Sequence, residues 1–76
     1  MDIKTFISKL DVVFEETDLN TIKPDTQFKQ LEEWDSMLAL SMIAMVDDEY
    51  SLKLTGDDIR TSTTIQDLFS KIEAKA

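Results

Sequence analysis

The sequence contains no cysteine and no histidine, and only one glycine and one proline occur among its 76 residues. Without cysteine the chain can form neither a disulfide nor a thiolate metal cluster. Without histidine it lacks the commonest general base, the commonest zinc ligand and any Ser-His or Cys-His pair. The small number of helix-breaking residues favours helices over a fold with many turns. The composition therefore argues against catalysis and against a metal site, and it favours an all-α fold.

A hydrophobic content of 42% is ample for a packed core and argues against a disordered chain. A chain of this length forms one small domain, so we expect residues 1–76 to be a single domain. The longest uncharged apolar run, residues 37–46, is about half the length that a membrane span requires. The first residues also lack the apolar run of a secretory signal. We therefore expect a cytoplasmic protein that does not insert into a membrane.

The charge is strongly acidic, with 16 acidic residues, eight basic residues and a net charge of −8. A chain with this charge repels phosphate backbones and anionic lipid, which argues against a nucleic-acid partner. A basic protein surface is the natural partner, unless the charge only keeps the domain in solution.

The spacing of apolar residues predicts three main helices and one short helix. The first covers about residues 2–16 with Asp2 as its N-cap, the second runs from Ser36 to Tyr50, and residues 56–60 form a short turn of helix. The last begins near Thr63, where Thr63-Thr64-Ile65-Gln66 matches a capping box. The predicted core stripes of the three main helices are Ile3, Phe6, Ile7, Leu10, Val13 and Phe14; Ala39, Met42, Ile43, Val46 and Tyr50; and Ile65, Leu68, Phe69 and Ile72.

Residues 17–35 form a long predicted loop, interrupted by Pro24, between the first two helices. A loop of this length in a small domain is either functional or disordered. Apolar residues recur along it, so we expect the loop to be held against the core; they are Leu19, Ile22, Phe28, Leu31 and Trp34.

The face of the second helix opposite its core stripe is unusual for a surface exposed to water. It is apolar near the start of the helix and acidic near the end, and it contains Met37, Leu40, Ser41, Ala44 and Asp48, with Asp47 at its margin. Either these residues pack under the long loop, or they form a docking face for a partner.

Two kinds of acidic site are disfavoured. Residues 47–58 are similar to a calcium-binding EF-hand loop, but Leu52 occupies the position that requires glycine. The acidic pairs Glu15-Glu16, Glu32-Glu33 and Asp57-Asp58 are expected to be exposed acids and not catalysts, because the chain has no histidine and little volume for a pocket.

Ser36 occupies the first turn of the second helix, directly after the long loop. We expect its hydroxyl to be exposed, and the unpaired N–H groups and dipole of a helix start are favourable for a phosphate. Asp35 and Ser36 are also both favoured N-cap residues, and on these two residues alone a simple cap is the better interpretation.

The surrounding motifs change this interpretation. They follow one another in order over essentially the whole chain: Asp25-Thr26-Gln27-Phe28-Lys29-Gln30-Leu31, Trp34-Asp35-Ser36-Met37, Asp47-Asp48-Glu49-Tyr50, Leu54, Gly56-Asp57-Asp58-Ile59 and Thr63-Thr64-Ile65-Gln66-Asp67-Leu68. With this set the sequence resembles an acyl carrier protein. The resemblance implies a four-helix bundle, with a long loop between helices 1 and 2, that acts as a carrier and not as an enzyme.

The resemblance also implies roles for individual residues. Ser36 would carry 4′-phosphopantetheine, transferred from coenzyme A by a carrier-protein synthase (a phosphopantetheinyl transferase) that Asp35 helps to dock. The arm would hold acyl groups as thioesters in fatty-acid, related lipid or polyketide biosynthesis. Acyl-transferring and condensing enzymes with basic patches would bind Met37, Leu40, Ala44, Asp47 and Asp48, and Leu54 and Ile59 would lie near the entrance of an acyl pocket between the helices.

Some positions depart from the family pattern. Trp34 replaces a residue that is often small, Met37 replaces leucine, and Leu38 and Ser41 stand where many fatty-acid carriers have acids. We expect a specialised, monomeric, free-standing carrier of a dissociated bacterial-type synthase. The alternatives are a small acidic interaction module without a prosthetic group and an aminoacyl or peptidyl carrier.

Overall fold

The computed structural model describes residues 2–76, and within them the chain forms four α-helices. They are α1 (Ile3–Ser8), α2 (Ser36–Tyr50), α3 (Gly56–Arg60) and α4 (Ile65–Lys75). This described part of the chain contains no β-strand, and none of its helices is long and apolar enough to cross a membrane. The predicted all-α bundle, with three main helical segments and one short helix, is confirmed.

The first helical segment differs in detail from the prediction of one α-helix over residues 2–16. α1 ends at Ser8, and a 3₁₀ helix, Lys9–Val12, continues from it. The N–H groups of Val13 and Phe14 both donate to the carbonyl of Leu10, at 2.9 and 2.8 Å. This tighter turn still leaves Leu10, Val13 and Phe14 buried, so the predicted core stripe holds although the helix type changes.

Capping boxes begin the two later helices. In α3, Thr55 and Asp58 exchange hydrogen bonds of 3.0 Å between side chain and backbone N–H. In α4 the box joins Thr64 and Asp67, at 3.1 Å in each direction, so the prediction placed it one residue too early. The backbone N–H groups that donate to Asp58 and Asp67 lower the pKa of both carboxyls. In α3, which has only five residues, the capping box satisfies N–H groups at the helix start and so stabilises a short helix.

The core lies between the helices and the long loop. All four predicted core residues of α4 are buried, whereas in α2 the buried residues are Met42, Met45 and Val46. Met45 was not in the predicted stripe. It is buried because α2 contacts both the 3₁₀ helix Lys9–Val12 and α3, which widens its buried arc.

The long loop is held against the core, as predicted. Ile22 and Phe28 are buried, and Leu19, Leu31 and Trp34 pack against the core while partly exposed. The first N–H groups of α4 donate to loop carbonyls, from Ile65 to Thr26 at 3.0 Å and from Gln66 to Pro24 at 2.8 Å. Lys29 Nζ donates to the carbonyls of Ile59 and Arg60 at the end of α3. These contacts fix the position of the long loop, and therefore the position from which the chain enters α2.

Candidate functional site

Ser36 is the first residue of α2, and its side chain is exposed. Asp35 precedes it in an extended conformation, and its Oδ1 accepts a hydrogen bond of 2.9 Å from the N–H of Leu38. The N-cap is therefore Asp35 and not Ser36, which decides between the two candidates that the sequence left open. The Ser36 hydroxyl is at the surface, next to the unpaired N–H groups of the first helical turn.

An aromatic anchor holds the residues just before Ser36. The Trp34 N–H donates to the carbonyl of Leu31 at 3.0 Å, which closes a turn. The Trp34 ring lies 5.1 Å from Phe28 in an edge-on arrangement and 6.0 Å from Phe14, measured between ring centroids. Aromatic pairs in such geometry add stability beyond the area they bury. The large residue at position 34 thus ties the approach to Ser36 to the core.

Glu33 does not behave as the exposed acid that the sequence analysis expected. Its carboxylate accepts hydrogen bonds from the N–H groups of Glu15 at 3.0 Å, Glu16 at 3.2 Å and Thr17 at 3.0 Å, and from the Thr17 hydroxyl at 2.8 Å. Partial desolvation raises the pKa of Glu33, but these hydrogen bonds outweigh it and lower the pKa below its ordinary value. Asp58 is likewise partly buried in its capping box. The expectation that both members are exposed was therefore wrong for the pairs Glu32-Glu33 and Asp57-Asp58.

The predicted docking residues form one exposed surface of α2. Met37 is 69% exposed and Leu40 62% exposed, and Ala44, Asp47 and Asp48 are also exposed. The alternative that this face packs under the long loop is therefore wrong. Ser41, on the same face, is partly buried. The outer face of α2 is free to contact a partner.

A groove beside this face includes a residue that the sequence analysis missed. It has a volume of about 510 Å³ and is lined by Val12, Ser41, Ala44, Met45, Asp47, Asp48 and Glu49. Val12 is 64% exposed although it is apolar. Val12 lies outside the predicted core stripe of the first helix, and this could have indicated from the sequence that it is an exposed apolar residue.

Leu54 and Ile59, the predicted pocket-entrance residues, lie in the core and are 3% and 5% exposed. Leu54 belongs to the segment between α2 and α3, and Ile59 lies within α3. The packing places them in one hydrophobic cluster with Met42 and Val46 of α2. Their role toward an acyl chain stays a prediction.

In a comparison with protein families, the family described as "Phosphopantetheine attachment site" matches residues 7–72. The chain belongs to this phosphopantetheine-binding carrier family. Comparison with curated proteins and with solved structures gives no match. The matched region contains the long loop, α2, α3 and most of α4. The family resemblance read from the sequence is therefore confirmed, and the helical bundle agrees with a carrier of acyl-carrier-protein type.

Carriers of this family hold 4′-phosphopantetheine covalently, and acyl-handling enzymes act on what the arm carries. The residues present fit this group. An exposed serine at a helix start offers a hydroxyl, and unpaired N–H groups lie beside it to face a phosphodiester. The Asp35 carboxylate pairs the N–H of Leu38, so the N–H groups that could face the phosphodiester are those of Ser36 and Met37, which precede it.

Proposed function

We propose that this carrier is an acyl carrier protein whose phosphopantetheine attachment site is Ser36. The observation that carries the proposal is the exposed Ser36 side chain at the first position of α2, within the region that the family matches. Residues 1–76 would then act as a single carrier domain. The chain would serve as the substrate of separate enzymes and would not itself be a catalyst.

The residues around Ser36 have distinct parts in the attachment. The Ser36 oxygen forms a bond to phosphorus at the diphosphate of coenzyme A, the bond to the adenosine bisphosphate breaks, and the hydroxyl proton passes to a base of the phosphopantetheinyl transferase. Asp35 fixes the helix start through its bond to Leu38 and offers an exposed charge to that enzyme. The dipole of the 15-residue α2 stabilises the negative charge of the resulting phosphodiester. Once attached, the group supplies a thiol that holds acyl chains as thioesters.

The outer face of α2 is the proposed docking surface for acyl-transferring and condensing enzymes. Met37 and Leu40 offer apolar contact close to Ser36, and Asp47 and Asp48 offer negative charge further along the helix. Because residues 37–46 carry no charge, a partner would meet apolar surface near the attachment point and find charge complementarity about three helical turns away. This separation favours a dedicated set of partners, in a specialised lipid or polyketide pathway.

The acyl chain would be sheltered between the helices, past Leu54 and Ile59. Both side chains are buried against α2, so an acyl chain entering there would displace contacts within the core cluster. The connection 51–55 and the five-residue α3 are both short, and their movement would open a path for the acyl chain.

The attachment site is tested by intact mass after incubation with coenzyme A, Mg²⁺ and a broad-specificity phosphopantetheinyl transferase. We expect the wild type to gain one phosphopantetheine group and Ser36→Ala to gain none. Ser41→Ala, a serine substitution on the same helix, is the matched control and should gain the group. Because Asp35 is the cap, Ser36→Ala should change the free energy of unfolding by no more than about 0.5 kcal/mol.

Two results would contradict the proposal. One is a folded wild-type protein that gains no mass, which would favour an interaction module without a prosthetic group. The other is a Ser36→Ala variant that is modified as fully as the wild type, which would place the attachment at another hydroxyl.

A further inference from the structure

One carboxylate ties the approach to Ser36 to the end of the first helical segment. Glu33 lies three residues before Ser36, and its donors are Glu15, Glu16 and Thr17, which follow Phe14. These are three consecutive backbone N–H groups, joined by the Thr17 hydroxyl at 2.8 Å. Consecutive N–H groups that converge in this way form an anion-binding concavity. In this chain the anion is the chain's own side chain.

The other contacts near Ser36 cannot replace this tie. Asp35 bonds to Leu38 of the same helix, so it fixes Ser36 relative to α2 only. Trp34 packs against Phe14 and Phe28 by ring contacts, which carry no charge-assisted hydrogen bond to another element. Glu33 adds directed, charge-assisted hydrogen bonds to a different element, and such bonds are the stronger kind.

We propose that Glu33 is a positioning residue for the modification of Ser36: through its hydrogen bonds to residues 15–17 it holds the start of α2 in the orientation that the transferase binds. This inference rests on the proposed function of Ser36. A segment that is already ordered does not have to be ordered when the enzyme binds, so the benefit belongs to binding and not to bond formation. The effect of losing Glu33 should therefore appear in KM.

The sequence offers a matched control in the neighbouring acid. Glu32 carries the same charge one residue away, and its side chain is exposed. Glu33→Gln and Glu32→Gln therefore remove the same charge from neighbouring positions just before α2. Only Glu33→Gln replaces one acceptor oxygen with an amide donor that faces the N–H groups of residues 15–17.

The experiment compares wild type, Glu33→Gln and Glu32→Gln by two measurements. The first is amide hydrogen exchange, by NMR, at Glu15, Glu16 and Thr17. The second is the steady-state kinetics of phosphopantetheine transfer from coenzyme A, with the carrier as the varied substrate. For Glu33→Gln we expect faster exchange at these amides and a KM raised by about five- to tenfold with kcat within about twofold, since hydrogen bonds to a charged group are lost. Glu32→Gln should match the wild type in both measurements.

A milder variant keeps the test decisive if Glu33→Gln does not fold. Thr17→Val removes the hydroxyl donor and leaves the three backbone donors, so it should raise KM in the same direction by a smaller factor. Wild-type KM in a folded Glu33→Gln protein with loosened amides would overturn the inference and leave Glu33 as a structural residue only. An equal rise of KM in Glu32→Gln would also overturn it, because charge alone would then be the cause. Failure of the wild type to be modified contradicts the proposed function itself, and is distinguished from these outcomes in the same assay.

Discussion

Asp35 combines a structural property with an electrostatic one, and mutation can separate them. Its Oδ1 caps α2 through Leu38 at 2.9 Å, and its exposed carboxylate adds a negative charge beside Ser36. Asparagine is as good an N-cap as aspartate, whereas alanine cannot cap. Asp35→Asn therefore removes the charge and keeps the cap, whereas Asp35→Ala removes both.

We predict that Asp35→Ala lowers the free energy of unfolding by about 1 kcal/mol and that Asp35→Asn lowers it by less than about half of that. Both variants should lower kcat/KM for phosphopantetheine transfer, because both remove the charge proposed to dock the transferase. Urea denaturation gives the first quantity and the transfer assay gives the second. If Asp35→Asn is modified at the wild-type rate, the charge has no docking role and Asp35 is a cap alone.

The contrast between Asp35 and Glu33 shows how far residue-level prediction reaches. The cap of Asp35 involves a donor three residues away, so it can be predicted from the local sequence. The donors to Glu33 lie 16 to 18 residues earlier in the chain, and no spacing rule connects them. Glu33 therefore looked like its neighbour Glu32 until the loop path was known.

The same distinction operates for whole elements. The predicted bounds of α2 agree with the structure, because a long loop ends just before it and Ser51, in a left-handed conformation (φ 56°), ends it. The first helix was predicted as a single α-helix because periodicity reports the buried face and does not distinguish an α-helix from a short 3₁₀ continuation. In α2 the buried Met45 was missed because two neighbouring elements widen the buried arc.

Two opposite faces of α2 give a prediction at the scale of the element. Met42 is fully buried, whereas Leu40 is 62% exposed. Met42→Ala should lower the free energy of unfolding by about 2–5 kcal/mol, the usual cost of such a core truncation. Leu40→Ala should change it by no more than about 0.5 kcal/mol.

Binding should show the reverse order. Leu40→Ala should lower the kcat/KM with which an acyl-transferring enzyme uses the phosphopantetheine-loaded carrier, because Leu40 belongs to the proposed docking surface. Met42→Ala should leave that kcat/KM unchanged at a temperature where the variant is still folded, as judged by circular dichroism. Equal destabilisation by the two substitutions would contradict the assignment of Leu40 to a free surface. A wild-type kcat/KM of the acyl-transferring enzyme with Leu40→Ala would remove Leu40 from the proposed docking surface.

At the scale of the whole molecule, repulsion among the excess acidic side chains lowers the stability of the compact fold. The chain carries 16 acidic and eight basic residues, and between residues 2 and 76 three ion pairs join a basic to an acidic side chain: Lys9–Glu49, Arg60–Asp57 and Lys75–Asp58. The described chain measures 28 × 24 × 20 Å. The Debye length is about 30 Å at 0.01 M ionic strength and about 10 Å at 0.1 M. At 0.01 M ionic strength every charge therefore acts on every other charge in a domain of this size, and at 0.1 M only neighbouring charges interact strongly.

We predict that the Tm at pH 7 rises when NaCl is increased from 10 to 150 mM. Screening weakens the general repulsion more than it weakens the three short ion pairs, because it acts on all separations beyond the Debye length. If the net gain is about 1 kcal/mol, the rise in a domain of this size is about 4–8 °C. Scanning calorimetry measures it. NaCl is preferable to a sulfate salt because sulfate also strengthens apolar burial.

A charge-reduced variant separates screening from other effects of salt. Asp47→Asn combined with Asp48→Asn removes two negative charges that are exposed and adjacent on α2. Because this protein would repel itself less, its Tm at 10 mM NaCl should be higher than that of the wild type, and its rise on adding salt should be smaller. An unchanged or falling Tm in the wild type, or the same rise in both proteins, would contradict the view that self-repulsion limits the stability of this carrier. The predicted result would mean that a basic partner docking on Asp47 and Asp48 also stabilises the fold, since it neutralises the same charges.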